Sequence, residues 1–172
     1  ACVKAMEEQL GPEGMPAPAF VAGHSLGEFT ALAFTGVLDV GETARLVQKR
    51  GRLMQEACEQ RPGSMAAVLG LDEMTLEEIS RETGTYISNV NTAEQIVISG
   101  DVMAVAQALD LAIARGAKKV IPLKVGGAFH SALMEPAKAG LMDAVSSLSF
   151  KDPVVPIVAN CTGKPLKKGS EV

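Results

Sequence analysis

Within about sixty residues, apolar β-branched stretches alternate with helical periodicity in the order β-α-β-β-α-β, an order that few compact folds accept. Residues 65–69 read as a strand. Residues 75–83 read as a helix opened by a capping box, Thr75 with Glu78 three positions on. Strands at 86–90 and 95–99 flank a polar turn at 91–94. Asp101 caps a helix that runs to about Arg115, Gly116 closes it, and 119–123 forms the last strand. This is the pattern of a ferredoxin-like, split-βαβ unit.

The flanking sequence has a different rhythm. Residues 19–22 form a short apolar strand, 26–35 a helix closed by Gly36, and 40–59 a second helix ended by Pro62 and Gly63. Beyond the unit come a loop, a helix over 131–147 and a strand over 154–159. The expected fold class is α/β. An α/β-hydrolase-like core, 1–63 with 125–172, is interrupted by a ferredoxin-like small subdomain at 64–124. The chain opens inside a helical pattern without Met and closes in a polar run from Gly163, which predicts a piece of a longer enzyme.

Composition removes several function classes. Of the 172 residues 47% are hydrophobic and 21% charged, a globular balance. The net charge of −4, no Trp, one Tyr and five Phe argue against nucleic acid or an anionic membrane as partner. No apolar run approaches the ~18–20 residues that cross a bilayer. Cys2, Cys58 and Cys161 lack metal-ligand spacing, so no metal site is expected. They read as small buried hydrophobes in a reducing, cytoplasmic setting.

Chemistry concentrates at Gly23-His24-Ser25-Leu26-Gly27, between a strand and a helix. Such a turn crowds its backbone, so both flanking positions are expected to need glycine. It lifts Ser25 to a helix N-terminus, where the Leu26 N–H faces a developing oxyanion. A plain glycine-rich turn is the alternative. A serine needs a base at neutral pH. His24 sits inside the turn, which leaves His130, on a flexible glycine-rich loop, as base or as an ordinary loop histidine.

No third acid emerges, so the reading is a Ser–His dyad. On the helical wheel of 40–59, Leu46, Val47, Leu53, Met54, Ala57 and Cys58 share a face with Arg50 near its centre. Arg45, Gln48, Lys49, Arg52 and Glu56 take the other side. A cation on a buried face needs an anion. That anion is either Asp39 or Glu28 of the chain itself, or a substrate carboxylate gripped by the planar fork. Met54 then lines the same pocket or simply packs.

Four segments in this order, GHSLGE (23–28), VQKRGRLMQEA (47–57), NVNTAEQIVISG (89–100) and GAFH (127–130), resemble malonyl-CoA:acyl carrier protein transacylases and the related acyltransferase domains of fatty-acid and polyketide synthases. The resemblance implies ping-pong transfer of malonyl from malonyl-CoA to the phosphopantetheine thiol of acyl carrier protein through an ester on Ser25. His130 would be the base, Leu26 an oxyanion donor and Arg50 the carboxylate clamp. Phe129 would crowd out a methyl branch. Asn91 would contact substrate, or form a turn. Coenzyme A enters as a thioester substrate, with no resident cofactor. The family's Gly-Gln-Gly segment and the segment orienting its histidine have no counterpart here. A serine esterase or thioesterase is the alternative activity.

Overall fold

The computed structural model describes residues 2–11, 14 and 17–172, without the side chains of Lys4 and Glu7. In chain order the elements are α1 (Cys2–Leu10), β1 (Val21–Ala22), α2 (Leu26–Phe34), α3 (Val40–Gln60), β2 (Ser64–Leu69), α4 (Glu73–Thr83), β3 (Tyr86–Thr92), β4 (Gln95–Gly100), α5 (Val102–Ala114), β5 (Lys119–Pro122), α6 (Glu135–Ser146), β6 (Ile157–Val158) and β7 (Pro165–Leu166). The class is α/β, with one mixed and one antiparallel sheet. Two compact units divide the chain, residues 1–48 with 144–172 and residues 49–143.

The 49–143 unit is built on a four-stranded antiparallel sheet in the order β3-β4-β2-β5. Both faces of its central strands are covered, which is why β2 and β4 read as nearly continuous apolar runs rather than alternating ones. Ala66, Val68, Ile96 and Ile98 pack against Leu76 and Ile79 of α4 and Val105, Ala108 and Ala112 of α5. Those helical residues recur at spacings of three and four, one stripe per helix. Met65, Ala67 and Val97 point the other way and meet Leu69, Ile121, Leu123 and Phe129. Residues 93–94 join β3 to β4, and irregular pairing interrupts β3 at Ile87–Asn89 and Val90–Thr92.

Asp101 caps α5 as expected, accepting from the N–H groups of Met103 and Ala104. The expected capping box of α4 does not form. Asp72 takes the cap by accepting from the Thr75 N–H at 2.8 Å, so the helix starts at Glu73. That bond holds the Asp72 carboxyl below its ordinary pKa. Glu78 instead joins Glu82 in gripping Arg115, at 3.0 and 2.8 Å.

In the other unit, β1 pairs parallel with β6, and β6 pairs antiparallel with β7. The strand expected over 154–159 shrinks to Ile157–Val158. Pro153 and Pro156 cannot donate to a ladder, and the Val154 N–H goes to the Thr35 carbonyl. None of the described helices is long and apolar enough to cross a membrane.

The cysteines depart from expectation. Only Cys58 is buried, while Cys2 and Cys161 are exposed. Burial pushes the Cys58 thiol upward, with the Glu59 carboxylate adding to the effect, and so depletes its reactive thiolate. Iodoacetamide at neutral pH is therefore expected to label Cys2 and Cys161 in the native protein, and Cys58 only after denaturation. Peptide mapping before and after unfolding checks this.

Candidate active site

Strand β1 ends at Ala22 and α2 begins at Leu26, which leaves only residues 23–25 to reverse the chain. Ser25 sits at the apex with φ 50° and ψ −103°. A side chain in that region costs about 1–3 kcal/mol and persists only where surrounding bonds enforce it. The Gly27 N–H donates to His24 O at 2.9 Å and the Glu28 N–H to Ser25 O at 3.2 Å, closing the turn. A Cβ at Gly23 would collide with the Gly27 carbonyl and the Glu28 nitrogen, whereas one at Gly27 would meet open space. Glycine is thus required at Gly23 alone, contrary to the expectation for both flanks.

Leu26 is exposed, and among the described residues its N–H meets no acceptor. It stands in the first turn of α2, where the helix dipole favours negative charge.

A residue that sequence reasoning passed over holds this turn. The Asn160 Oδ1 accepts from the Ser25 N–H at 2.9 Å, and its Nδ2 donates to Gly23 O at 2.6 Å. The Asn160 N–H donates to Glu28 Oε1 at 2.9 Å. The only signal in the chain is a polar residue just after the apolar run 157–159, which many strand ends share.

In the 49–143 unit, His130 is exposed and also left-handed, with φ 58°. Among the described residues, positive φ outside glycine occurs at Ser25 and His130 and nowhere else. Contacts tie the loop that carries His130 to its surroundings at several points. Gly127 and Ala128 are buried, and a Cβ at Gly127 would run into the Cys58 Sγ of α3. Ser131 Oγ donates to Ala128 O at 2.6 Å and accepts from the Leu133 N–H. Ser88 Oγ donates to Phe129 O at 3.1 Å and shares a short hydrogen bond with the fully buried Ser99 hydroxyl. The absence of a side chain at Gly127 serves close packing against Cys58, two residues before Phe129 and three before the histidine.

Helix α3 follows the wheel residue by residue. Leu46, Ala57 and Cys58 are buried, with Val47, Leu53 and Met54 half-buried beside them. Arg45, Gln48, Lys49, Arg52 and Glu56 are exposed. Arg50 is half-buried on the apolar side, and burial lowers its guanidinium from the ordinary value. Met54 lies one turn on. Of the alternative intramolecular anions, Glu28 accepts from Asn160, and Asp39 accepts from the Glu42 N–H at 2.7 Å. The Asn91 side chain is exposed and donates to Gln95 Oε1 at 3.3 Å, across the β3–β4 connection. Among the described residues no three His, Cys, Asp or Glu side chains cluster as metal ligands.

The chain is 39% identical over 160 residues to the malonyl CoA-acyl carrier protein transacylase of Bacillus subtilis, covering 90% of this chain and 50% of that one. It is 43% identical over 159 residues to the polyketide biosynthesis protein ThaF of Burkholderia thailandensis, covering 91% of this chain and 13% of that one. The solved malonyl CoA-acyl carrier protein transacylase of Coxiella burnetii superposes with a TM-score of 0.88 at 36% identity, over 95% of this chain and 52% of that one. The chain spans about half the length of the transacylases it matches. Residues 1–170 match the family described as acyl transferase domain, and the chain belongs to that family.

Proposed function

We propose that this chain carries the nucleophile and the acyl-binding residues of a malonyl-CoA:acyl carrier protein transacylase. The observation that carries the reading is the strain: among the described residues, the two side-chain-bearing ones held at positive φ are the hydroxyl and the imidazole that acyl transfer needs. In the first half-reaction His130 takes the Ser25 Oγ proton as the oxygen attacks the malonyl thioester carbonyl. The carbon–sulfur bond breaks, and coenzyme A leaves as a thiol with that proton. In the second, the phosphopantetheine thiol of acyl carrier protein loses its proton to His130 and attacks the malonyl-serine ester, restoring the Ser25 hydroxyl. The Leu26 N–H donates to the oxyanion in both.

Arg50 grips the malonyl carboxylate through two parallel hydrogen bonds. Met54 lines that pocket, Phe129 excludes a branched acyl chain, and Asn91 is a weaker candidate for substrate contact. The group resident during turnover is the acyl ester, with no permanent cofactor, and the enzyme works in the cytoplasm. The antiparallel order β3-β4-β2-β5 with α4 and α5 on one face supports a ferredoxin-like subdomain at 64–124, set into an α/β-hydrolase-like core. The names of the B. subtilis and C. burnetii proteins support malonyl and acyl carrier protein as donor and acceptor. The likeness to ThaF supports a second reading, the same transfer serving a polyketide synthase.

The test is incubation of the full chain with malonyl-CoA, followed by peptide mass mapping. A malonyl ester on Ser25 that outlives hydrolysis and moves to added acyl carrier protein is the expected result. Rapid release of free malonate would support an esterase instead.

A further inference from the structure

We infer that Asn160 is a positioning residue for the nucleophile, working with Glu28. The inference rests on the reading of Ser25 as the acyl-carrying residue. Asn160 uses both ends of its amide on one three-residue turn, accepting from the Ser25 N–H and donating to the Gly23 carbonyl. A side-chain amide that satisfies a donor and an acceptor of the same turn fixes the distance between them. Here that distance frames the serine held at φ 50°. Glu28, which closes the GHSLGE motif and has no other role in the proposed chemistry, accepts from the Asn160 backbone. The strained residue is thereby tied to the end of the segment that follows β6, 135 positions away.

There is a chemical consequence. With the Ser25 N–H committed to Asn160, the N–H this turn offers a substrate oxygen is that of Leu26. Asn160 thus sets where Ser25 Oγ stands relative to the Leu26 donor, acting through the turn it holds.

The test reads the first half-reaction in the full chain, as the single-turnover rate of malonyl ester formation on Ser25. Asn160→Ala is expected to lower that rate about ten- to a hundred-fold, with KM for malonyl-CoA within about two-fold of wild type. Asn160→Asp separates positioning from mere folding. When protonated, its carboxyl donates to Gly23 O and accepts from the Ser25 N–H, reproducing both bonds. When ionised, it loses the donor and sets a negative charge against the Gly23 carbonyl.

Glu28 is the charged side chain bonded to position 160, and its carboxylate raises the range over which the new carboxyl keeps its proton. The rate of the Asn160→Asp variant relative to wild type is therefore expected to climb several-fold from about pH 8 to about pH 5.5, while the ratio for Asn160→Ala stays flat. Equal acylation rates in Asn160→Ala and wild type would overturn the inference, as would an Asn160→Asp ratio with no recovery in acid. A wild-type chain that forms no ester on Ser25 would overturn the transacylase reading instead.

Discussion

Arg50→Ala is expected to lower malonyl transfer by about a hundred- to a thousand-fold and acetyl transfer by less than about five-fold. The asymmetry follows from what each acyl group carries. Under the proposed reading malonyl presents its carboxylate to the half-buried guanidinium on the apolar side of α3, where two charge-assisted hydrogen bonds would form in a setting that already disfavours the charge. Acetyl has no carboxylate, so losing the arginine removes little from it. Arg50→Lys is expected to recover only part of the malonyl rate, because an ammonium cannot match the planar fork. Steady-state assays with both thioesters measure the ratio. Equal losses for both would reject the clamp, and Arg50 would then belong to the packing of α3.

Gly23→Ala is expected to cost about 3 kcal/mol of stability and at least about a thousand-fold in acylation rate, while Gly27→Ala leaves both near wild type. The added methyl at position 23 meets backbone, the Gly27 carbonyl and the Glu28 nitrogen, which cannot swing aside as a flexible side chain could. The turn must open, and Ser25 loses its angle. At Gly27 the methyl enters open space inside a helix, where alanine is favoured over glycine by about 1 kcal/mol. With that gain added to the loss at position 23, thermal melts should separate the pair by roughly 8–16 °C for a chain of this size. Two glycines of one motif thus have different reasons for being there. A melt in which both variants lose stability equally would refute the steric argument.

The sequence carried the periodic parts of this molecule clearly. The face of α3 followed from 3.6-residue periodicity alone, because one helix buries its stripe against one surface whatever the remaining fold. The Asp101 cap was equally plain, since its partners lie two and three residues away. The α4 start is ambiguous in sequence because Asp72 and Thr75 both suit a cap; in the structure Asp72 accepts from the Thr75 N–H, while Glu78 is engaged by Arg115, 37 residues on.

The candidate site divided in the same way. Ser25 and Leu26 were legible from a local turn, whereas Asn160 was hidden because its partners stand 132 to 137 positions away. The glycines at 126–127 suggested freedom, yet at Gly127 the absent side chain makes room for a neighbouring sulfur, a reason invisible until α3 and the loop are seen together.

That last contact has a practical meaning for anyone redesigning acyl preference. The Cys58 sulfur occupies space that a side chain at Gly127 would need, so the two positions are a lock and its key rather than independent sites. Transplanting the 127–130 segment from another acyltransferase will preserve its backbone course only if the recipient's helix presents an atom of matching size at position 58. Otherwise the grafted imidazole will arrive displaced, and a failed chimera will be blamed on the wrong residue.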